Sequence, residues 1–354
     1  MPDRHDLYDM TREALAAWLA DRGQPRFRAD QVFQWAHARL ARSFVEMTNL
    51  PVALREELGE HLRIGPLEPL SASAVEDSTK LLLPLADGET VECVRMLTGP
   101  DTASLCVSSQ VGCAIRCGFC ASGRDGLVRN LSTGEIMAQA VSLRALVGPA
   151  RNLVFMGMGE PLYNLNAVLP SLAILTDKQG WGLSPQRITV ATSGAARGIR
   201  RLTAEGPPVE LALSLNAPTD ALRRELMPGV RDSLEEVLAA CDEFSARHAG
   251  RPVTFAYVLL RGVNDQPDHA RGLEQLLRRR RHHLNLIPCN EVEGLPFRRP
   301  SKPEMEAFTR RLEGAQLNVT LRRSRGQSIN AACGQLRRAQ SDRPPRSGCS
   351  GGRG

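Results

Sequence analysis

Three cysteines with a distinctive spacing, Cys113, Cys117 and Cys120, are the residues of this chain best suited to bind metal. Their C-x3-C-x2-C run has no fourth Cys or His in its immediate surroundings. Structural zinc sites and electron-carrying iron–sulfur clusters normally take four protein ligands. Three thiolates on one tight loop can instead hold three corners of an iron–sulfur cubane, which leaves the fourth iron open to a small molecule. The alternative is a structural metal loop that a distant residue completes.

Polar residues recur where the predicted strands end. Gly159 and Glu160 follow one strand, where a glycine lets a ligand approach the backbone and a carboxylate can bind an ammonium group. Taken singly, each of these residues is more typical of a turn than of a ligand contact. Taken together, they predict a polar rim around one pocket. The further members of this rim are Ser193, Ser214, Leu215, Asn216 and Asn290.

Two more cysteines and one glutamate are candidates for chemistry. Strand alternation puts Cys106 on the same face as Ser108, which predicts that its thiol points into the sheet interior toward the cysteine loop. Cys333 lies among small residues on a loop after the last predicted strand, from which it could reach over the pocket. Its position leaves open whether it is a nucleophile or a spare thiol. Glu92 is, by its pattern, an ordinary strand carboxylate.

The elements that position these residues alternate between apolar β-rich runs and helical patterns. Repeated strand–helix units of this length build a parallel sheet with right-handed crossovers. Six or seven units favour a full or partial barrel, an α/β fold of (β/α)6 type, with its chemistry at the carboxyl ends of the strands. The predicted strands are residues 103–109, 152–156, 187–192, 210–215, 253–260, 283–288 and 318–323.

Ahead of this barrel, the sequence predicts a small helical unit and a β-hairpin. Helical periodicity occurs in residues 11–23, 29–40 and 51–62, and a Pro/Ser-rich stretch at 65–78 is expected to be the boundary. Two strands joined by Ala-Asp-Gly follow, at 79–85 and 89–97. The expected domains are residues 1–65 (helical), 66–98 (linker and hairpin), 99–336 (catalytic core) and 337–354 (a disordered basic tail).

Composition narrows the class of protein. With 42% apolar and 24% charged residues, no run as long as a membrane span and no apolar leader, we expect a cytoplasmic protein without a membrane partner. Nine cysteines in such a chain indicate metal or redox chemistry. The net charge is +6, but most of the excess lies in residues 337–354, and aromatic residues are only 4%. The charge therefore permits an RNA partner without requiring one.

Three motifs in order give the chain a family resemblance: LCVSSQVGC at 105–113, MGMGEP at 156–161 and NAACGQL at 330–336. They resemble the radical S-adenosylmethionine (SAM) enzymes of the RlmN/Cfr family of adenosine methyltransferases. The resemblance implies that Cys113, Cys117 and Cys120 ligate a 4Fe–4S cluster whose open iron chelates SAM. It implies further that Gly159 and Glu160 hold the amino-acid end of SAM and that the polar rim lines the rest.

The same resemblance implies roles for the remaining candidates. Cys333 matches the cysteine that carries a methyl group from a first SAM; a second SAM yields the radical that activates this methyl for addition to adenine. Cys106 matches the cysteine that releases the RNA by forming a disulfide with Cys333. Glu92 aligns with a proton acceptor, although one extra residue separates it from Cys106.

The target implied by the resemblance is an adenosine of 23S ribosomal RNA. Residues 159–161 (GEP) favour carbon 2, the RlmN-type product, whereas residues 121–127 also resemble Cfr-type enzymes, which methylate carbon 8. Transfer RNA is a further substrate class that the sequence leaves open. A flavodoxin or ferredoxin system is the expected electron donor, and the protein is expected to be a monomer. A hypothesis of another class is a metal-stabilised RNA-binding module without catalysis.

Overall fold

A computed structural model describes residues 4–99, 102–322 and 326–337 of the chain. The tail that we expect to be disordered lies outside the described residues, apart from Arg337.

The amino-terminal unit is helical, as its periodicity predicts. Thr11 caps its first helix, because the Thr11 hydroxyl accepts a hydrogen bond from the Ala14 N–H at 3.2 Å. The second helix continues into one wide turn over Gln34–Ala38, with i→i+5 geometry. The elements of this unit are β1 (His5–Asp6), α1 (Arg12–Ala20), α2 (Phe27–Phe33), α3 (Val52–His61) and β2 (Leu62–Arg63), and β1 pairs with β2 in parallel.

Antiparallel strands follow, β3 (Ser71–Val75), β4 (Ser78–Pro84) and β5 (Thr90–Gly99). β4 and β5 are the predicted hairpin. β3 lies inside the stretch of residues 65–78 in which the sequence predicts a boundary, and its five residues pair with β4. The Ser-Ala-Ser-Ala-Val sequence of β3 has mostly small side chains, which suits an edge strand with no buried residue.

The core is an α/β unit in which seven parallel strands continue the sheet. The sheet is open, with the strand order β14-β13-β12-β11-β10-β9-β6-β5-β4-β3. The remaining strands are β6 (Thr102–Cys106), β7 (Gln110–Gly112), β8 (Leu127–Asn130), β9 (Asn152–Phe155), β10 (Ile188–Thr192), β11 (Glu210–Ser214), β12 (Val253–Leu259), β13 (His282–Pro288) and β14 (Val319–Leu321). The helices are α4 (Thr133–Leu146), α5 (Leu165–Thr176), α6 (Ala196–Glu205), α7 (Asp220–Leu226), α8 (Leu234–Arg247), α9 (Pro267–Leu277) and α10 (Lys302–Gly314). The predicted partial barrel with a helical unit and a hairpin extension is confirmed.

Alternation within the strands separates a packing face from a cavity face. In β12, Phe255 and Tyr257 are fully buried, whereas Thr254, Ala256 and Val258 are half-buried and line an internal cavity. The helices α4, α8 and α10 begin at capping boxes. Ser132 and Glu135 make the capping box of α4, and such a cap stabilises a helix by about 1 kcal/mol.

The amino-terminal unit packs on the core rather than standing apart from it. Leu7, Tyr8 and Phe33 belong to the same continuous apolar cluster as the strands of the sheet. The Arg12 guanidinium forms ion pairs with Asp30 at 2.9 Å within the unit and with Asp177 at 2.7 Å after α5. None of the helices in the described part of the chain has the length and apolar character to cross a membrane.

Candidate active site

The carboxyl ends of the parallel strands surround one cavity. The cavity, including its open mouth, has a volume of about 1190 Å³. This volume is ample for a nucleoside-sized ligand and a metal cluster. Most of the residues singled out from the sequence line this cavity. They are Cys113, Cys117, Cys120, Gly159, Glu160, Ser193, Ser214, Asn216, Asn290 and Cys333.

Three of the sequence candidates lie outside the cavity wall. Leu215 is fully buried behind the wall, and its N–H donates to the carbonyl of Ala256 at 2.9 Å. Cys106 is also buried, at the end of β6. Glu92 lies on β5 and lines a separate cavity.

The three-cysteine loop is fixed by backbone hydrogen bonds on both sides. The Cys113 N–H donates to the Gly126 carbonyl at 3.0 Å, and the Gly118 N–H donates to the Leu226 carbonyl of α7 at 2.9 Å. The three thiols are half-buried, and burial raises the pKa of Cys113 to about 12 and raises the pKa of Cys117 and Cys120 as well. Such thiols become thiolates when bound metal displaces their protons.

Glu160 is a buried carboxylate in the cavity wall, with 2% of its surface exposed. Its Oε2 accepts hydrogen bonds from the N–H and the hydroxyl of Ser193, each at 2.7 Å, and its Oε1 accepts one from the Leu162 N–H at 3.0 Å. Burial raises the pKa of Glu160, and these hydrogen bonds act in the opposite direction. The arrangement holds a carboxylate in a place where a cationic ligand group could pair with it.

The backbone conformation just before Glu160 requires a glycine at position 159. Its φ is +101°, and a Cβ there would lie 2.5 Å from the side chain of Gln110. Gln110 Oε1 in turn accepts the Glu160 N–H at 2.8 Å, so that the turn carrying Glu160 is tied to the strand that precedes the cysteine loop.

Asn216 and Asn290 line the cavity, but their amides already bond to protein groups. Asn216 Oδ1 accepts the Val258 N–H at 2.9 Å. Asn290 Nδ2 donates to the Cys333 carbonyl at 3.0 Å, and Asn290 Oδ1 accepts from Gln327 at 2.5 Å. Asn290 therefore positions the loop of Cys333.

That loop, residues 326–337, lies directly against the cysteine loop. The Ala121 N–H donates to the Gly334 carbonyl at 2.7 Å, and the Ser122 hydroxyl donates to the Leu336 carbonyl at 2.5 Å. Cys333 is exposed to the cavity. Burial, and next the Cys333 thiol, raise the pKa of Cys106. All eight cysteines in the described part of the chain are free thiols.

Glu92 holds the far end of the same loop. Its Oε1 pairs with Lys80 Nζ at 2.8 Å, and its Oε2 accepts the Arg337 N–H at 2.7 Å. Lys80 Nζ also donates to the Asn330 carbonyl at 3.2 Å. Both carboxylate oxygens of Glu92 are thus engaged with protein donors.

The sequence reasoning missed two residues that position this site, Lys80 and Gln110. Lys80 could have been found from the hairpin register, since it sits diagonally across from Glu92 on the neighbouring strand. Gln110 could have been found because it is a polar residue in the strand that leads into the cysteine loop.

The donor set fits an iron–sulfur cluster together with an amino-acid-bearing cofactor. Thiolates are the ligands of such clusters, and the three thiols line one shared cavity with a buried carboxylate. Among the described residues, no group of three or more His, Cys, Asp or Glu side chains is placed to hold a single metal ion.

Two family models match the chain. The model described as ribosomal RNA large subunit methyltransferase N-terminal domain matches residues 5–64. The model of the radical SAM superfamily matches residues 107–271, which include the three cysteines and Glu160.

Curated relatives match nearly the whole chain. The probable dual-specificity RNA methyltransferase RlmN of Rhodopirellula baltica is 48% identical over 344 residues, covering 95% of this chain and 92% of that protein. The dual-specificity RNA methyltransferase RlmN of Pelobacter propionicus is 46% identical over 341 residues, covering 95% and 97%. A solved radical SAM methyltransferase from Sphaerobacter thermophilus superposes with a TM-score of 0.89 at 43% identity, covering 94% of this chain and 99% of that one.

Proposed function

The chain belongs to the RlmN family of radical SAM RNA methyltransferases, and we propose that it methylates carbon 2 of an adenosine in 23S ribosomal RNA through a methylated Cys333. As a member of this family it is an RNA methyltransferase that uses a 4Fe–4S cluster and SAM. The observation that carries the finer proposal is that Cys333 is exposed to the same cavity as the three-cysteine loop.

Named residues would hold the two cofactors. Cys113, Cys117 and Cys120 would ligate the cluster, and Glu160 would pair with the SAM ammonium beside Gly159. The rim residues Ser193, Ser214, Leu215, Asn216 and Asn290 would complete the site, Leu215 and Asn290 by positioning their neighbours. When bound, the cluster and SAM supply a methyl group and one-electron chemistry, with two SAM molecules per turnover.

The thiols of the chain account for the covalent steps. Adenine carbon 2 is electron-poor, so it cannot attack a SAM methyl group directly. Cys333 Sγ is a far better nucleophile, and it accepts the methyl group first. Joining the methyl carbon to the adenine ring requires the loss of one hydrogen atom from the methyl group, which the one-electron chemistry of the second SAM would remove, and of one electron and the carbon-2 proton from the ring; the new bond links protein and RNA. The Cys106 thiolate attacks Cys333 Sγ, which forms a disulfide and breaks the bond from Cys333 Sγ to the methylene carbon, and this carbon takes up a proton to become the methyl group of the released RNA.

Glu92 is proposed as the acceptor of the adenine ring proton, and its contacts set a condition on that role. Its oxygens are engaged by Lys80 and by the Arg337 N–H, and it lies outside the main cavity. Proton transfer therefore requires the Cys333 loop to release Arg337 when RNA binds.

The experiment that tests the covalent route is mass spectrometry of a Cys106→Ala variant purified from cells. We expect Cys333 in this variant to carry RNA, because no thiol is left to release it. The double variant with Cys333→Ala should carry none, and neither should Cys241→Ala, which removes a buried thiol on α8. An unmodified Cys333 in the Cys106→Ala protein contradicts the proposal.

Mass spectrometry of ribosomal RNA from a deletion strain identifies the carbon. Loss of 2-methyladenosine is expected; loss of 8-methyladenosine would instead support the Cfr-type reaction that residues 121–127 favour. The same comparison on transfer RNA tests the second substrate class. We also propose that a flavodoxin or ferredoxin supplies the electrons, and reduced protein that binds RNA without consuming SAM would favour the non-catalytic module.

A further inference from the structure

Arg223 is a charged side chain buried behind the cysteine loop. It lies on α7, only 1% of its surface is exposed, and it is the largest of the fully buried side chains. Its Nη2 donates to the Ser193 carbonyl. Its Nε and Nη1 have no hydrogen-bond partner among the described residues.

The carboxylates nearest to Arg223 are committed elsewhere. Asp220 Oδ1 accepts the Leu234 N–H at the start of α8 at 2.9 Å, and Asp232 Oδ2 accepts the Ala196 N–H at the start of α6 at 2.7 Å. Neither forms an ion pair with Arg223 in the described part of the chain. A guanidinium stays protonated in proteins, and a buried cation without an ion-pair partner costs several kcal/mol. Asp220, Asp232 and Glu160 act on this charge without forming an ion pair, and two of the guanidinium nitrogens have no acceptor in the described part of the chain.

The unpaired cation lies behind the residues of the proposed cluster site. α7 contacts the cysteine loop directly, because the Leu226 carbonyl accepts the N–H of Gly118, the residue after Cys117. The charges of Cys117 and of Glu160 both act on the Arg223 guanidinium. Ser193 joins the same group, since its carbonyl accepts from Arg223 while its N–H and hydroxyl donate to Glu160.

We propose that Arg223 is the built-in counter-cation of the iron–sulfur cluster, placed so that its positive charge acts on the cluster through the region of Cys117. The inference rests on the assignment of Cys117 as a cluster ligand. A 4Fe–4S core with three thiolates is an anion, and reduction adds one electron and one negative charge. Arg223 keeps its proton throughout. A fixed cation close to the cluster favours the reduced state and raises the reduction potential.

The first measurement is the midpoint potential of the cluster, followed by EPR during an anaerobic dithionite titration. Arg223→Met removes the charge and should shift the reduction equilibrium at least tenfold toward the oxidised form, which is about 59 mV for one electron. Arg224→Met is the matched control, because it removes an exposed arginine from the next position of α7. Its potential should equal that of the wild type.

The second measurement needs no loss of charge. In wild-type protein labelled with guanidinium-15N arginine, ENDOR of the reduced cluster should show a 15N coupling. This coupling should disappear in Arg223→Lys and persist in Arg224→Lys. The 15N coupling tests whether Arg223 lies close to the cluster even if the Arg223→Met variant does not fold.

Each outcome has a definite meaning. A wild-type potential in Arg223→Met with full iron content, or no Arg223-dependent 15N coupling in the wild type, overturns the inference and leaves the proposed function intact. Wild-type protein that forms no cluster at all overturns the proposed function together with this inference.

Discussion

Glu160 is a buried carboxylate whose orientation is fixed by protein hydrogen bonds. Three protein donors, from Ser193 and Leu162, orient its two oxygens. No Lys, Arg or His of the described residues lies at ion-pair distance from it, so a ligand ammonium is free to supply the positive charge. Burial makes this pairing stronger than it would be in water.

We expect Glu160→Gln to weaken SAM binding by roughly tenfold to a hundredfold, since a hydrogen bond to a charged group contributes about 1.5–3 kcal/mol. Anaerobic calorimetry of the reconstituted enzyme measures this, with iron content unchanged. Because burial raises the pKa of Glu160, the carboxyl is protonated at a higher pH than usual. Wild-type affinity should therefore fall as the pH is lowered, and the variant should be less sensitive.

Glu205→Gln is the control, because Glu205 pairs with Arg201 on an exposed helix face. Equal SAM affinity in wild type and Glu160→Gln would remove Glu160 from the ligand site.

Single residues were predictable where the sequence keeps them in one motif. The cysteine loop and the Gly159–Glu160 turn follow strands, and the sheet brings such strand ends together in one cavity. Arg223 acts on residues far away in the sequence, so nothing in its local pattern marks it. The contacts of Glu92 could not be predicted either, because they depend on how the last loop returns across the hairpin.

At the scale of elements, the parallel strands were predicted within one or two residues at most ends because they are buried, apolar and β-branched. The edge strand β3 and the short hairpin of β7 with β8 were not predicted. Both lack a continuous apolar pattern: β3 and β8 are largely exposed, and hydrogen bonds to their neighbours rather than burial hold them. Periodicity detects burial, and it cannot detect pairing alone.

The wide turn that ends α2 contains an unusual histidine. His37 is fully buried, its ring lies 4.3 Å from that of Phe33 and 5.4 Å from that of Tyr8, and neither ring nitrogen has a partner in the described part of the chain. Burial lowers the pKa of His37 to about 3, against a weak opposing effect of Asp177. The folded state therefore holds a neutral imidazole in an apolar site.

This histidine should make the protein sensitive to mild acid. The unfolded chain binds a proton at His37 below a pH of about 6.5, whereas the folded chain does not until a pH of about 3. His37 therefore leaves the free energy of unfolding unchanged above a pH of about 6.5 and lowers it progressively as the pH falls from there toward about 3. Between pH 7.5 and pH 5 the loss is about 2 kcal/mol.

Urea unfolding at the two pH values tests this in a His37→Leu variant. We expect the variant to lose about 2 kcal/mol less than the wild type over that interval. His61→Gln, which removes an exposed histidine, should behave like the wild type. The same acid loss in His37→Leu would show that other groups cause it.

At the scale of the whole molecule, the amino-terminal unit and the core share one apolar cluster and one ion-pair network. Asp9 accepts a hydrogen bond from the Gly134 N–H in the first turn of α4, and Arg12 pairs with Asp177 after α5. The unit is thereby held over the helices that follow β8 and β9. The family model matched to residues 5–64 thus corresponds to a part of the chain with a fixed place on the catalytic core.

The Arg12–Asp177 pair should carry much of that docking. Its side chains are 26% and 13% exposed, and the Arg12 guanidinium joins Asp30 to Asp177. Arg12→Ala leaves both carboxylates without their cation, and we expect a loss of about 2 kcal/mol in the free energy of unfolding. Hydrogen exchange should rise in α1–α3 and along the exposed turn at Asp177 but not in β9–β13.

Arg26→Ala, at an exposed position of the same unit, should change stability by less than about 0.5 kcal/mol. Uniform exchange across both parts in Arg12→Ala would mean that the two unfold as one body and that the pair does not govern docking.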